Sequence, residues 1–368
     1  MQHWQDFLQQ QGYASLPQGG IGHTNSSSNA KAYVTDLSNY SSLTLCGADA
    51  SQFLQGQLTC NMDHLSAEQG LAGAYCTPKG SVIANFDVLQ FENNIVLHMA
   101  ADVAESVHNA LAKYIVFSKA ELHHQKNNWV RLGLWGDSAH AALQKITQVP
   151  TGERQLSYFD DGFVFCANVE QQRFVIYCQP EAAMDLWLQL AKDACPASTA
   201  MWEVSQIKDG MIYVNQESSQ HYVPQMLNLQ EMGAINFQKG CYTGQEIVAR
   251  MQYLGKLKRH LYIGRITSPT ALQVGMQIDA SGRHNIGRIT SPTALQIGMQ
   301  IDASGRPNIG RITSLAQVAA EHYWFTAVIN IKEAENESLC VADIDNSMIE
   351  LEPLPYDIDE QVFERIKL

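Results

Sequence analysis

Lys239–Arg250 reads KGCYTGQEIVAR. A cysteine set between Gly240 and the aromatic Tyr242, with a second glycine at Gly244, implies a tight backbone turn. Such a turn can present the Cys241 thiol outward. Gln245–Arg250 then reads as the first turn of a helix or as an extended continuation. A helix start and the neighbouring Lys239 both favour the thiolate, and Gln245 and Glu246 add polar groups able to bind a ligand or lock the turn. The competing reading is a buried cysteine in a structural turn.

Around this stretch the charge is uneven. The chain of 368 residues carries a formal net charge of −13, which argues against a whole-surface grip on nucleic acid. Between Lys239 and Arg311, however, ten Lys/Arg stand against Glu246, Asp279 and Asp302, a local excess of +7. The basic stretch 239–311 is either the solvated face of a β-domain or a patch for an anionic ligand tail or an RNA backbone, direct contact with tRNA included. The other seven cysteines (Cys46, Cys60, Cys76, Cys166, Cys178, Cys195, Cys340) are scattered without any C-x-x-C pair. They are expected as buried thiols, and no metal site is assigned. His123-His124 in ELHHQK reads as two histidines facing water, and the acidic tail Asp357–Glu360 as a solvated end.

Downstream, Ile263–Asn285 and Ile286–Asn308 are two 23-residue copies differing only at Val274/Ile297 and His284/Pro307, and a third partial copy, IGRITS, begins at Ile309. Each reads strand, loop, strand, turn. Two copies are too few for a stable repeat array, so one should fill a small barrel and the other be an excursion from it. With Tyr323–Ile331 and Cys340–Ile344 as further strands, residues 254–368 predict a small antiparallel β-barrel.

Upstream, Ser41–Leu45, Val82–Leu89, Ile95–Met99, Val130–Trp135 and Arg173–Tyr177 have the β-branched and aromatic content of strands. Asp49 offers an N-cap for a helix over 50–58, Val103, Val107 and Leu111 share a helix face, and Pro180 suits a first helical position. Residues 32–253 therefore predict an α+β module. Residues 1–31 predict an N-terminal arm ending in the flexible linker GGIGHTNSSSNAK. The N-terminus lacks a basic start followed by an apolar run, and no run approaches the roughly 18 residues of a membrane span, so a cytoplasmic protein with no membrane contact is expected.

The stretch PQMLNLQEMGAINFQKGCYTGQE, from Pro224 to Glu246, resembles the hallmark of the YgfZ family. Similar segments follow the family's order: Gly47-x-Asp49, Phe53-Leu54-Gln55-Gly56-Gln57-x-Thr59, Pro78-Lys79-Gly80, Lys113-Tyr114 with Phe117-Ser118-Lys119, and LEPLPY at Leu351–Tyr356. The resemblance implies a glycine-cleavage T-protein-like ring of three subdomains with tetrahydrofolate at its centre. It implies pterin-facing aromatics at Tyr40, where tryptophan is usual in the family, and at Trp202. It also implies partnership with iron–sulfur enzymes, including those that modify tRNA, with Cys241 as the functional thiol and Lys239, Gly240, Tyr242, Gly244, Gln245 and Glu246 supporting it. Where the T-protein carries a carboxylate on its folate strand, this chain has Ala84-Asn85, and Asp87 lies two or three residues on, a spacing that can place it on the other strand face. Without that carboxylate, aminomethyl transfer loses its general acid/base. A folate-binding accessory protein is thus expected rather than a classical enzyme. The alternatives are a folate-dependent one-carbon transferase or demethylase with Cys241 as nucleophile, and a tRNA-binding module.

Overall fold

The computed structural model describes residues 2–22, 30–124, 129–268, 277–280, 283–288, 300–303, 306–319, 321–334, 339–341, 344 and 347–358. They divide into two compact units, one of residues 2–202 and 213–255, the other of Glu203–Ile212 and residues 256–358.

In chain order the first unit contains α1 (Gln2–Gln10), β1 (Tyr33–Asp36), β2 (Tyr40–Cys46), α2 (Ala50–Gln55), β3 (Leu71–Cys76), β4 (Val82–Phe91), β5 (Asn94–Ala100), α3 (Ala101–Ile115) and β6 (Glu121–His124). It continues with β7 (Val130–Trp135), α4 (Ala139–Leu143), β8 (Leu156–Phe159), β9 (Gly162–Asn168), β10 (Arg173–Cys178), α5 (Ala183–Leu190), β11 (Cys195–Pro196), the first residues of α6 (Thr199–Lys208), whose remainder from Glu203 belongs to the second unit, and α7 (Gln245–Leu254). The strands form a five-stranded sheet ordered β3-β4-β5-β2-β6 and a six-stranded sheet ordered β11-β1-β7-β10-β9-β8. Each sheet has its own helix-covered core. Leu43, Leu45, Phe86 and Val88 of the five-stranded sheet pack with Val103 and Val107 of α3. Leu132, Leu134 and Ile176 of the six-stranded sheet pack with Trp187 of α5 and with α1. A third cluster holds Tyr40, Leu89 and Val96 of the first sheet with Phe163, Phe165 and Val175 of the second. The two sheets therefore meet face to face.

The N-terminal segment begins with a packed helix. Trp4, Phe7 and Leu8 fall on one face of α1 and are buried, the three- and four-residue spacing of a helix stripe. Trp4 packs against Phe7 and Trp187, at 5.5 and 5.7 Å between rings, and its indole N–H donates to Asp36 Oδ1 at 2.8 Å. Ile21 is buried too, its amide donating to Thr199 Oγ1 at 2.8 Å, and residues 23–29 of the proposed linker lie outside the described residues. Two helix starts also differ. Asp49 occupies the N-cap of α2, but its carboxylate accepts from the Lys119 amide at 2.8 Å instead of capping the helix. Pro180 precedes a turn, and α5 begins at Ala183.

The second unit contains β12 (Arg259–Thr267), β13 (Gln277–Ala280), β14 (Arg283–Arg288), β15 (Gln300–Ala303), β16 (Arg306–Ala319), β17 (His322–Asn330), α8 (Ile331–Ala334), β18 (Leu339–Val341) and β19 (Met348–Glu352). Six of these strands close a barrel in the order β12-β17-β16-β15-β18-β19, with antiparallel pairings. Its interior holds Ile266, Ile301, Ile312, Phe325 and Ile329.

The duplication resolves within this barrel. β12 comes from the start of the first copy, β15 from the end of the second, and β16 from the third partial copy. The middle, β13 and β14, forms a separate two-stranded sheet. Barrel β15–β16 and excursion β13–β14 use the same register, Gln300↔Arg311 and Ile301↔Gly310 in one, Gln277↔Arg288 and Ile278↔Gly287 in the other. Deletion of 286–308 leaves the identical QIDA of 277–280 to pair with Ile309–Ile312. The shortened protein should fold with stability within about 1 kcal/mol of the parent, because loop length enters closure entropy only logarithmically. Denaturant unfolding of both chains measures this, and an unfolded deletion product would show the second copy to be indispensable.

Candidate functional site: three sequence segments converge beneath an exposed cysteine

The turn before α7 is held by a buried ammonium. Lys239 is 9% exposed, and its Nζ donates to the carbonyls of Gln55, Leu58 and Cys60 at 2.8, 2.7 and 2.7 Å. Gln55 ends α2, so the charge sits where unsatisfied carbonyls give a helix its negative end. Burial lowers the Lys239 pKa to about 8. The same two segments are stitched again by Thr59, whose Oγ1 donates to Ala234 O at 2.6 Å and whose carbonyl accepts from the Asn236 amide at 2.9 Å. Thr243 Oγ1 donates to Gln57 Oε1 at 3.3 Å.

A third segment closes the turn. Gly244, the N-cap of α7, has φ +86°, and a Cβ there would stand 2.5 Å from Thr77 O and 3.2 Å from Gly80 Cα. Only glycine adopts that backbone at so close an approach. Phe53–Thr59, Pro78–Gly80 and Lys239–Glu246, far apart in sequence, thus pack into one structure. Tyr242 is buried inside it, 5.3 Å beneath the Lys239 ammonium. Gln245 Nε2 reaches back to the Lys239 and Gly240 carbonyls at 3.5 and 3.4 Å, while Gly240 and Glu246 are exposed.

Of the eight cysteines only Cys241 is exposed. Burial pushes the Cys60 thiol up to about 11 and those of Cys76, Cys166 and Cys178 to about 12, which keeps them protonated. The expected electrostatic support for Cys241 is built differently from the sequence reading. The Lys239 N–H bonds point at three carbonyls, and Cys241 lies three residues ahead of the N-cap of α7. The basic stretch is partly spent as well. Lys239 is internal, and Arg265 pairs with Glu350 and Glu352 at 3.0 and 2.7 Å.

Where the two sheets meet, strand register assembles a polar row. Asp87 on β4 lies opposite His98 on β5, His98 lies opposite Ser42 on β2, and Tyr40 is two residues along the same face. Asp87, 3% exposed, accepts from Arg154 Nε at 2.9 Å through one oxygen and from the Tyr213 hydroxyl through the other. Burial first, and then the Asp87 charge, hold the Tyr213 pKa well above its usual value. Tyr177 OH lies 2.6 Å from His98 Nδ1. The Arg131 guanidinium lies 5.1 Å over the Tyr177 ring and donates to Ser42 Oγ at 2.7 Å. Burial, aided by the Arg131 charge, holds the His98 pKa well below the ordinary histidine value, so the ring is neutral.

Tyr40 and Trp202 belong to one apolar cluster at this junction, and both are covered by protein. Tyr40 stacks on His98 at 5.0 Å and meets Tyr213 edge-on at 5.2 Å. Trp202, 1% exposed, lies on Gly133, where a Cβ would stand 2.6 Å from Trp202 Cε3. The indole is also edge-on to Trp135 at 5.5 Å, with the Arg173 guanidinium 5.6 Å over its ring. Ala84 faces the α3 side of its sheet, whereas Asn85 and Asp87 alternate onto the other face together. Asp87 is therefore displaced along the strand from Asn85, not turned away from it. Asn85 Oδ1 accepts from the Val214 amide at 2.7 Å. Arg154, Tyr213 and His98 escaped the sequence reading. Arg154 and Tyr213 stand 67 and 126 residues from Asp87 and have no local signature.

Residues 18–239 match the GCVT N-terminal domain family. The chain is 28% identical over 325 residues to the tRNA-modifying protein YgfZ of Yersinia enterocolitica, covering 88% of this chain and 92% of that protein. It is 33% identical over 227 residues to the tRNA-modifying protein YgfZ of Yersinia pestis, covering 61% and 68%. Among solved structures, the glycine cleavage system aminomethyltransferase T of Bartonella henselae superposes with a TM-score of 0.67 at 14% identity, over 89% of this chain and 86% of that one, and shares its fold.

Two outcomes follow from this geometry. Lys239→Met removes three charge-assisted donors and orphans three carbonyls, which should cost at least about 3 kcal/mol. Cys241→Ser, at an exposed position, should stay within about 0.5 kcal/mol, and urea unfolding separates the two. His98 is neutral in the folded state and free to protonate in the unfolded chain below its ordinary pKa of about 6.5. Acidification below that point therefore favours unfolding through this residue by up to about 1.4 kcal/mol per pH unit. The pH dependence of stability should be shallower in His98→Asn by that amount, and an unchanged slope would mean that His98 is charged when folded.

Proposed function

Because this chain belongs to the YgfZ family, built on the GCVT N-terminal domain, we propose that it is a tetrahydrofolate-binding accessory protein whose Cys241 thiol serves iron–sulfur cluster assembly or repair, and through it tRNA modification. The observation on which this rests is the contrast among the cysteines. Cys241 alone is exposed, on a turn fixed by the buried Lys239 ammonium and by the approach of Gly244 to Gly80. A thiol on a rigid, accessible turn is available to a partner for redox exchange or transient ligation of a cluster. One cysteine cannot hold a cluster alone, so the remaining ligands belong to the iron–sulfur enzyme served.

The residues of the sheet junction fit a pterin in kind. Tyr40, His98 and Tyr213 offer aromatic faces, and stacking on such faces contributes about 0.5–1.5 kcal/mol beyond area burial. Each Asp87 oxygen has one protein partner and retains a lone pair for a ring N–H. Asp87 and Tyr213 would hold the ring system, with Tyr40 beside it, and Trp202 would support them from within the core. When bound, the folate supplies a one-carbon carrier. The same arrangement disfavours aminomethyl transfer, because Arg154 and Tyr213 already hold one Asp87 oxygen each, so the carboxylate is positioned as a hydrogen-bond anchor rather than as a free general base.

Calorimetry with tetrahydrofolate and labelling with a thiol reagent test this together. Wild type and Cys241→Ser should bind the folate alike, Asp87→Asn should bind at least tenfold more weakly, and labelling of native protein should be lost in Cys241→Ser. Absence of folate binding by the wild type would remove the folate assignment. Turnover of a methylamine donor abolished by Cys241→Ser would establish the transferase or demethylase reading. Binding of tRNA that weakens steeply with salt would establish direct RNA contact through the basic stretch.

A further inference from the structure

Away from the junction, β6 is the edge strand of the five-stranded sheet and pairs with β2. Register places Cys46 directly opposite Glu121, and His123, opposite Thr44, is one side-chain repeat further along the same face. His123 and His124, indistinguishable in the sequence, are thereby separated. His124 turns to the other face, where its Nε2 meets Ser41 Oγ at 3.1 Å and its ring stacks on His108 at 6.4 Å. His123 joins Cys46 and Glu121, and one ligand atom from each, a sulfur, a carboxylate oxygen and a ring nitrogen, lies within 4.8 Å of the others.

We propose that Cys46, Glu121 and His123 form a binding site for one divalent transition-metal ion of the zinc class, with a fourth position open to water or to a donor from another molecule. The donor set is the first argument. Thiolate, imidazole and carboxylate are the three side-chain types that bind Zn²⁺, and three protein ligands plus one exchangeable position is its open-site form. Geometry is the second. Metal–nitrogen and metal–oxygen bonds of about 2.0–2.1 Å set roughly 3.3 Å between two ligands of a tetrahedron. His123 Nε2 and Glu121 Oε2 stand 3.2 Å apart. The half-buried Cys46 supplies the third ligand atom, within 4.8 Å of the other two. Charge is the third argument, since one thiolate and one carboxylate neutralise a divalent cation. On binding, the Cys46 thiol releases its proton to solvent and the sulfur donates an electron pair to the ion. His123 and Glu121 exchange their mutual contact for bonds to the metal, with no change of oxidation state. The ion would clip the edge strand β6 to β2, and the site is independent of the folate and Cys241 assignments.

Co²⁺ is the probe, because thiolate ligation gives a near-ultraviolet charge-transfer band and tetrahedral coordination gives intense visible bands. The titration uses Cys241→Ser protein, so that the exposed thiol cannot contribute. Saturation at one equivalent with both features, reversed by Zn²⁺, is the expected result. The thiolate band should vanish when Cys46→Ser is added, and affinity should fall at least tenfold with His123→Gln or Glu121→Gln. These substitutions are at exposed or half-buried positions, and metal-free unfolding curves matching the parent verify that the fold is kept. A thiolate band that survives Cys46→Ser, or binding that does not saturate at one equivalent, would overturn the site.

Discussion

The ammonium of Lys239 joins parts of the chain that sequence keeps far apart. Three carbonyls at the end of α2 and just beyond it are met by one side chain from the motif turn. The contact explains why two stretches, Phe53–Thr59 and Lys239–Glu246, stand out together in the sequence. They are two halves of one hydrogen-bonded structure, and Gly80 against Gly244 completes it. A buried charge is tolerated only when its donors are met, so the cysteine turn and the segment around Gln55 depend on each other. The exposed thiol thus rests on an internal foundation rather than on its immediate neighbours.

The junction of the two sheets follows a similar rule. Asp87, His98, Ser42 and Tyr40 lie in one row because three strands pair in a single register, and a shift of one residue would turn them all into the α3-covered core. Arg131, Tyr177, Arg154 and Tyr213 answer them across the junction. Such a network is stabilising only when every member is satisfied, which accounts for a neutral His98 and a protonated Tyr213 at this junction. Polar groups at this depth orient one another first, and a ligand would meet them already fixed.

The barrel shows how little chain length constrains topology. Near-identical segments supply β15 in one place and a separate hairpin in another, and the barrel still closes. Among the described residues no helix is long and apolar enough to cross a membrane.

The sequence by itself determined most of the elements and their kind. Val130–Trp135 is a strand over the expected residues, and β2, β4, β5, β10 and β17 lie within a residue or two of the predicted runs, because apolar periodicity is a local property. It also determined that Cys241 stands on a glycine-shaped turn, since Gly244 is required by one backbone angle. The helix at Gln2–Gln10 was obscured because its stripe of three apolar residues is interrupted by glutamines, and only Trp187 and Asp36 show what it packs on. Tertiary structure alone decided that Lys239 serves carbonyls rather than the thiol and that Trp202 is sealed within the core. It also decided that Asp87 answers to Arg154 and Tyr213, and that His123 and His124 part company. Each of these depends on strand register or on contacts across tens to more than a hundred residues, and side-chain chemistry read along a chain contains neither.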